Sequence, residues 1–159
     1  MKTDTTTVLE FLRQSNNIEG VWDDDSLMQA WKAWEYLSEA QILTPKRIMK
    51  THEILMIHQD LDSHLIGVFR SEPVWVGGRE GEPFENIPFA ISAWCETTNK
   101  SKTEEEIQRD HVDYEIIHPF IDGNGRTGRL FMNWQRVKND LPILVIKESE
   151  KRAYYDWFA

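Results

Sequence analysis

His118-Pro119-Phe120-Ile121-Asp122-Gly123-Asn124-Gly125-Arg126-Thr127-Gly128-Arg129 is the stretch on which the fold turns. A helix-forming run from Thr103 to about Ile117 enters it, and a second, from about Asn124 to Lys138, leaves it. Pro119 disfavours the α conformation at His118, so the entering helix ends with its imidazole facing a loop. Gly123 and Gly125 allow backbone conformations closed to other residues and leave room for close approach. A glycine loop that runs into a helix N-terminus aims free N–H groups and the positive end of the helix dipole at one spot, which makes an anion site. Arg126 and Arg129, three apart, project from one face of the outgoing helix, and their guanidinium forks suit phosphate oxygens. Asp122 is the single carboxylate of the loop, and one carboxylate with substrate phosphates is a common way to hold Mg²⁺. His118 is the candidate general base.

Rival motifs fail. The P-loop pattern needs lysine and Ser/Thr after its last glycine, and neither is present. A calcium loop begun at Asp122 would want Asp or Asn where Arg126 stands and Glu where Asn133 stands. His111 and His118 cannot share a zinc ion from one helix, because seven residues of helix rise by ~10.5 Å.

Composition narrows the class. The 159 residues carry a net charge of −9, which argues against a general nucleic-acid or anionic-membrane binder. A hydrophobic fraction of 40% with seven Trp predicts one packed globule. Cys95 is the single cysteine, so no internal disulfide forms, and with no signal-peptide-like or membrane-spanning run the expected location is cytoplasmic.

His118 to Arg129 resembles the signature of the Fic (filamentation induced by cAMP) family, H-P-F-x-D-G-N-G-R-x-x-R, and matches every defined position. The resemblance implies a mainly α fold, a compact helical bundle with a β-hairpin flap over the active site. It implies adenylylation: a target hydroxyl attacks the α-phosphate of ATP and pyrophosphate leaves. By that likeness His118 deprotonates the hydroxyl and Asp122 holds Mg²⁺. Gly123, Asn124 and Gly125 cradle phosphate, and Arg126 and Arg129 hold the outer phosphates. The related Doc kinases have Lys where this chain has Gly125, which counts against the phosphorylating branch. The implied partners are ATP and a protein bearing a Ser, Thr or Tyr hydroxyl, this chain itself included.

The rest of the chain is read around that core. Thr3 to Gln14 predicts a short amphipathic helix through Val8, Leu9, Phe11 and Leu12. Ser15-Asn16-Asn17-Ile18-Glu19-Gly20 reads as a helix end, with Gly20 as its terminating glycine. Beside an intact signature the run also resembles the family's inhibitory motif, [S/T]-x-x-x-E-[G/N], at Ser15, Glu19 and Gly20. That likeness implies Glu19 pairing with Arg129 in the place of the ATP γ-phosphate, and Ser15 anchoring the segment. Residues 1–22 are then an N-terminal inhibitory segment and 23–159 the Fic core of one globular domain.

Asp23 and Thr44-Pro45 open two further helices. His52 and His58 read as packing or surface histidines. Val68-Phe69-Arg70 and Val74-Trp75-Val76 read as two β segments around Ser71-Glu72-Pro73. The family likeness makes Val74, Trp75 and Val76 part of a flap that aligns a target segment by main-chain pairing, with no catalytic part for Arg70. Phe89 to about Thr98 predicts a helix, Thr103 with Glu106 a capping box, and His111 a supporting residue two turns before His118. Leu130, Phe131, Trp134 and Val137 are the expected buried face of the outgoing helix. Lys151 to Tyr155 resembles the family's final helix, bordering the nucleotide. Three alternatives keep the same fold: removal of AMP with Glu19 positioning a water, transfer of another phosphate-linked group, and a nucleotide-binding regulator with negligible turnover.

Overall fold

The computed structural model describes residues 3–159, so the first two residues of the 1–22 segment lie outside it. Its helices are α1 (Thr5–Ile18), α2 (Asp24–Ser38), α3 (Pro45–Met56), α4 (Ile87–Lys100), α5 (Glu104–Ile117), α6 (Asn124–Lys138) and the short α7 (Lys151–Tyr155). Two strands, β1 (Trp75–Val76) and β2 (Arg79–Glu80), form one antiparallel hairpin. None of the described helices is long and apolar enough to cross a membrane.

Helix starts follow the local chemistry. Asp4, Asp23, Thr44 and Thr103 each accept a backbone N–H from the first turn of α1, α2, α3 and α5, and Thr103 with Glu106 completes a capping box. Helix α1 runs four residues past the predicted Gln14, because Ser15, Asn16 and Ile18 are buried along with Val8, Phe11 and Leu12. Gly20 follows its end with φ of 73°.

Helix α6 is the axis of the bundle and packs on α1, α2, α3 and α5. The expectation of one buried face is corrected: every residue from Arg126 to Arg136 is buried. Several of its polar side chains reach neighbours on different sides. Asn133 bonds both the N–H and C=O of Leu144, Gln135 reaches Asp110, and Arg136 reaches Glu104 and Pro142. The Ile143–Ile146 stretch is therefore held by a side chain of α6 and joins no sheet.

The predicted β pairing is also corrected. Val68 to Arg70 is not a strand; the Arg70 N–H instead donates to Pro119 O at 2.9 Å. The hairpin turns at Gly77-Gly78, with Val76 opposite Arg79. Their φ values of 54° and 81° supply the two positive angles that a type I′ turn demands. Of the three expected flap residues, Trp75 and Val76 form β1, and Val74 precedes it, accepting from the Gly81 N–H at 2.9 Å.

Candidate active site

The loop between α5 and α6 is held by its own side chains. His118 caps α5 in the left-handed region, φ 50° and ψ 64°, a conformation that costs a non-glycine residue roughly 1 kcal/mol or more. Asn124 closes the loop: its Oδ1 accepts the Phe120 N–H at 2.9 Å and its Nδ2 donates to Phe120 O at 2.8 Å. Both polar atoms of that side chain are thereby occupied, so Asn124 offers the cleft its main chain and not its amide side chain. Gly123 begins α6 at φ 84°, and a Cβ there would meet Met56 Sδ at 2.7 Å. The Gly123 N–H donates to Asp122 Oδ1 at 2.8 Å, so Gly123 contributes shape, and the free first-turn donors come after it.

His52 braces this loop from α3. Its Nδ1 accepts the Gly67 N–H at 2.9 Å, so Nε2 carries the proton and donates to Asp122 O at 2.8 Å. The ring stacks on Phe120 at 3.7 Å between centroids. Burial holds the His52 pKa down to about 4, so it stays neutral and bonded at physiological pH.

The loop, the hairpin and the last helix enclose a cleft of about 580 Å³. His118, Asp122, Gly125, Arg126 and Arg129 line one side, Val76 to Gly81 of the hairpin another, and Tyr154, Tyr155 and Phe158 a third. His118 Nδ1 donates to Glu115 O at 3.2 Å, which leaves the Nε2 lone pair to accept a proton. Burial lowers the His118 pKa, and Arg70 adds to this against the pull of the Glu115 carbonyl, Glu19 and Asp122. The imidazole is therefore neutral at pH 7. Glu115 also lines the cleft; burial pushes its pKa up to about 7, with Arg129 opposing and Glu19 reinforcing.

The arginines differ in their engagement. Arg126 gives Nη1 to Gln59 Oε1 at 3.0 Å, while its buried Nε has no protein partner. Every side-chain nitrogen of Arg129 is engaged. Its Nε donates to Ser15 Oγ at 2.8 Å, Nη2 to Ser15 O at 3.0 Å and Glu19 Oε1 at 2.8 Å, and Nη1 to Tyr154 Oη at 3.1 Å. Tyr154 Oη in turn contacts His111 Nε2 at 2.6 Å. Burial acts against the Arg129 charge, but Tyr154 and Glu19 outweigh it and hold the pKa above its ordinary value. Glu19 thus enters the cleft beside Gly125, where a Cβ would lie 2.5 Å from Glu19 Oε1.

Among the described residues no three His, Cys, Asp or Glu side chains gather into a metal site. Asp122 alone, with one oxygen held by Gly123 and its side chain on the cleft, fits a cation brought in by phosphates. Sequence reasoning did not assign Glu115, His52, Gln59 or Arg70 to the site. Only Glu115 carried a usable signal, one turn before His118 on the same helical face.

A helical bundle that presents a histidine-capped helix, a glycine loop and two buried arginines around one cleft defines a Fic-type domain. The Fic/DOC family profile matches residues 42–135, and the chain belongs to that family. It is 30% identical over 118 residues to "Protein adenylyltransferase Fic" of Drosophila persimilis, covering 71% of this chain and 23% of that protein. The Aedes aegypti protein of the same name is 25% identical over 162 residues, covering 96% of this chain and 32% of that one. This chain spans about a quarter to a third of those relatives. The fold superposes on a Fic-domain signaling protein from Bacteroides thetaiotaomicron with a TM-score of 0.81 at 21% identity, over 95% of this chain and 70% of that one. It superposes on Fic-1 (residues 134–508) of C. elegans with a TM-score of 0.77 at 17% identity, over 98% and 58%.

Proposed function

We propose that this chain transfers AMP from ATP to a hydroxyl side chain of a protein, and that the conformation described is its inhibited state. The observation that carries the reading is the Glu19–Arg129 pair inside the cleft that holds His118 and the glycine loop. The relatives' name, protein adenylyltransferase, supports the reaction class.

The chemistry follows from the free atoms. His118 Nε2 takes the proton as the target oxygen attacks the α-phosphorus. The bond from that phosphorus to the bridging oxygen breaks, and pyrophosphate leaves. The Glu115 carbonyl keeps the imidazole in the tautomer that can do this. First-turn N–H groups of α6 and the unpartnered Arg126 Nε receive phosphate oxygens. Asp122 would hold Mg²⁺, which when bound neutralises phosphate charge. The hairpin edge supplies main-chain groups for an extended target segment.

Glu19 blocks this by taking an Arg129 donor. Residues 1–22 then act as the inhibitory segment, with Ser15 fastening it through Arg129 Nε. A cytoplasmic setting belongs to the same reading: Cys95 is buried and unpaired, and burial pushes its thiol up to about 12, so it is inert.

Incubation with α-labelled ATP and Mg²⁺ tests the proposal. Protein label should be strong in Glu19→Gly, weak in wild type and absent in Glu19→Gly with His118→Ala. Absence of label in all three, with ATP bound, would overturn it and favour removal of AMP.

A further inference from the structure

One side chain joins the hairpin to the catalytic loop. Arg70 is buried between them, yet it does not line the cleft. Its Nε donates to His118 O at 2.7 Å, and its Nη2 to Ile117 O at 3.1 Å. On the hairpin side Nη1 donates to Glu72 O at 2.9 Å and Nη2 to Glu82 O. Its own N–H reaches Pro119 O at 2.9 Å. Three successive carbonyls of the loop and one on each side of the hairpin are thus collected by a single residue. Every acceptor is main chain, so the fork fixes backbone paths and reads no side chain.

The recipients are the groups that need fixing. Ile117 ends α5, and its carbonyl is one of the terminal acceptors left without a partner inside the helix. His118 holds a left-handed conformation that only surrounding contacts can maintain. Gly81 closes the arrangement: a Cβ there would lie 3.0 Å from Arg70 Nη2 and 3.7 Å from His118 Cβ. The residue that follows the hairpin thus leaves no room for a side chain between itself, the fork and His118.

We propose that Arg70 is a positioning residue for transfer: it maintains the left-handed turn that aims His118 into the cleft and locks the hairpin to that turn. Base and docked hydroxyl then share one rigid frame. This rests on the AMP-transfer reading. Because Arg70 lies outside the cleft lining, it governs the transfer rate and not nucleotide affinity.

The test uses Glu19→Gly as parent, with Arg70→Lys or Arg70→Ala added, the latter with and without methylguanidinium. ATP affinity is read by calorimetry, the transfer rate at saturating ATP, and His118 ring orientation by its Cε1–Hε1 NMR resonance. A lysine presents one point charge where three directions must be served. The expected result for Arg70→Lys is an ATP Kd within about threefold of the parent, a shifted His118 resonance, and a rate lower by on the order of tenfold to a hundredfold. Methylguanidinium should raise the Arg70→Ala rate several-fold. A parent that takes no label sinks the transfer reading, and the His118 resonance then decides the inference alone. An Arg70→Lys protein with parental rate and resonance overturns the inference, and so does one whose affinity and rate fall together.

Discussion

Gly125 shows how much can depend on a missing side chain. A methyl group at that position would lie 2.5 Å from Glu19 Oε1 and 3.0 Å from Arg129 Nη1, so the Glu19–Arg129 pair must shift to admit a larger residue there. Gly125→Ala should therefore raise self-labelling above wild type, though below Glu19→Gly, since the methyl also crowds the phosphate loop. Gly123→Ala meets Met56 and a φ of 84° instead. It should lower stability by about 1–3 kcal/mol in urea unfolding without raising label. A silent Gly125→Ala would remove the steric account. At this scale the motif was legible because its chemistry is local: base, acid, glycines and arginines fall within one turn of chain and its helix. The inward turn of the Asn124 amide was not legible, because the sequence names an amide without saying that the Phe120 main chain takes both of its polar atoms. Arg70 and His52 act across 48 and 70 positions, and no local pattern announces such reach.

The elements were legible where one rule decided them, and not where two competed. Caps on α1, α2, α3 and α5 follow from single residues. The hairpin register did not, because β-branched and aromatic residues at 68–70 and 74–76 invited a pairing that the Gly77-Gly78 turn overrode. Helix α1 outran its reading because Ser15 and Asn16, polar residues that suggested a terminus, are buried by tertiary contacts. Helix α3 is coupled to the loop through His52, whose two hydrogen bonds connect Gly67 and Asp122. His52→Phe keeps a ring against Phe120 but leaves an N–H and a C=O without partners. It should cost about 2–4 kcal/mol by urea unfolding. A loss below about 0.5 kcal/mol would mean that those groups find other partners.

The whole molecule couples folding to pH through buried titratable groups. Burial lowers His52 to about 4 and His111 to about 3, and raises Glu115 to about 7. Between about pH 6.5 and 4.5 the unfolded chain binds protons at both histidines, whereas the folded chain alone keeps the Glu115 proton. Two protons against one leave the unfolded state ahead by one from these three groups, and the burial of His118 acts in the same direction. Stability should thus fall by about 1.4 kcal/mol for each unit that pH drops through this window. His52→Gln removes one histidine and should flatten the slope; an unchanged slope would show that other groups control acid sensitivity. Arg129 has a further consequence. Ser15 of α1, Glu19 just after its end and Tyr154 of α7 meet on its guanidinium, so the anion that competes for it is covalently attached to the chain. Its effective concentration is set by the folded chain and is unaffected by dilution. On the proposed reading, inhibition by Glu19 is an intramolecular threshold: it yields to nucleotide supply and is indifferent to how many copies of the protein are present.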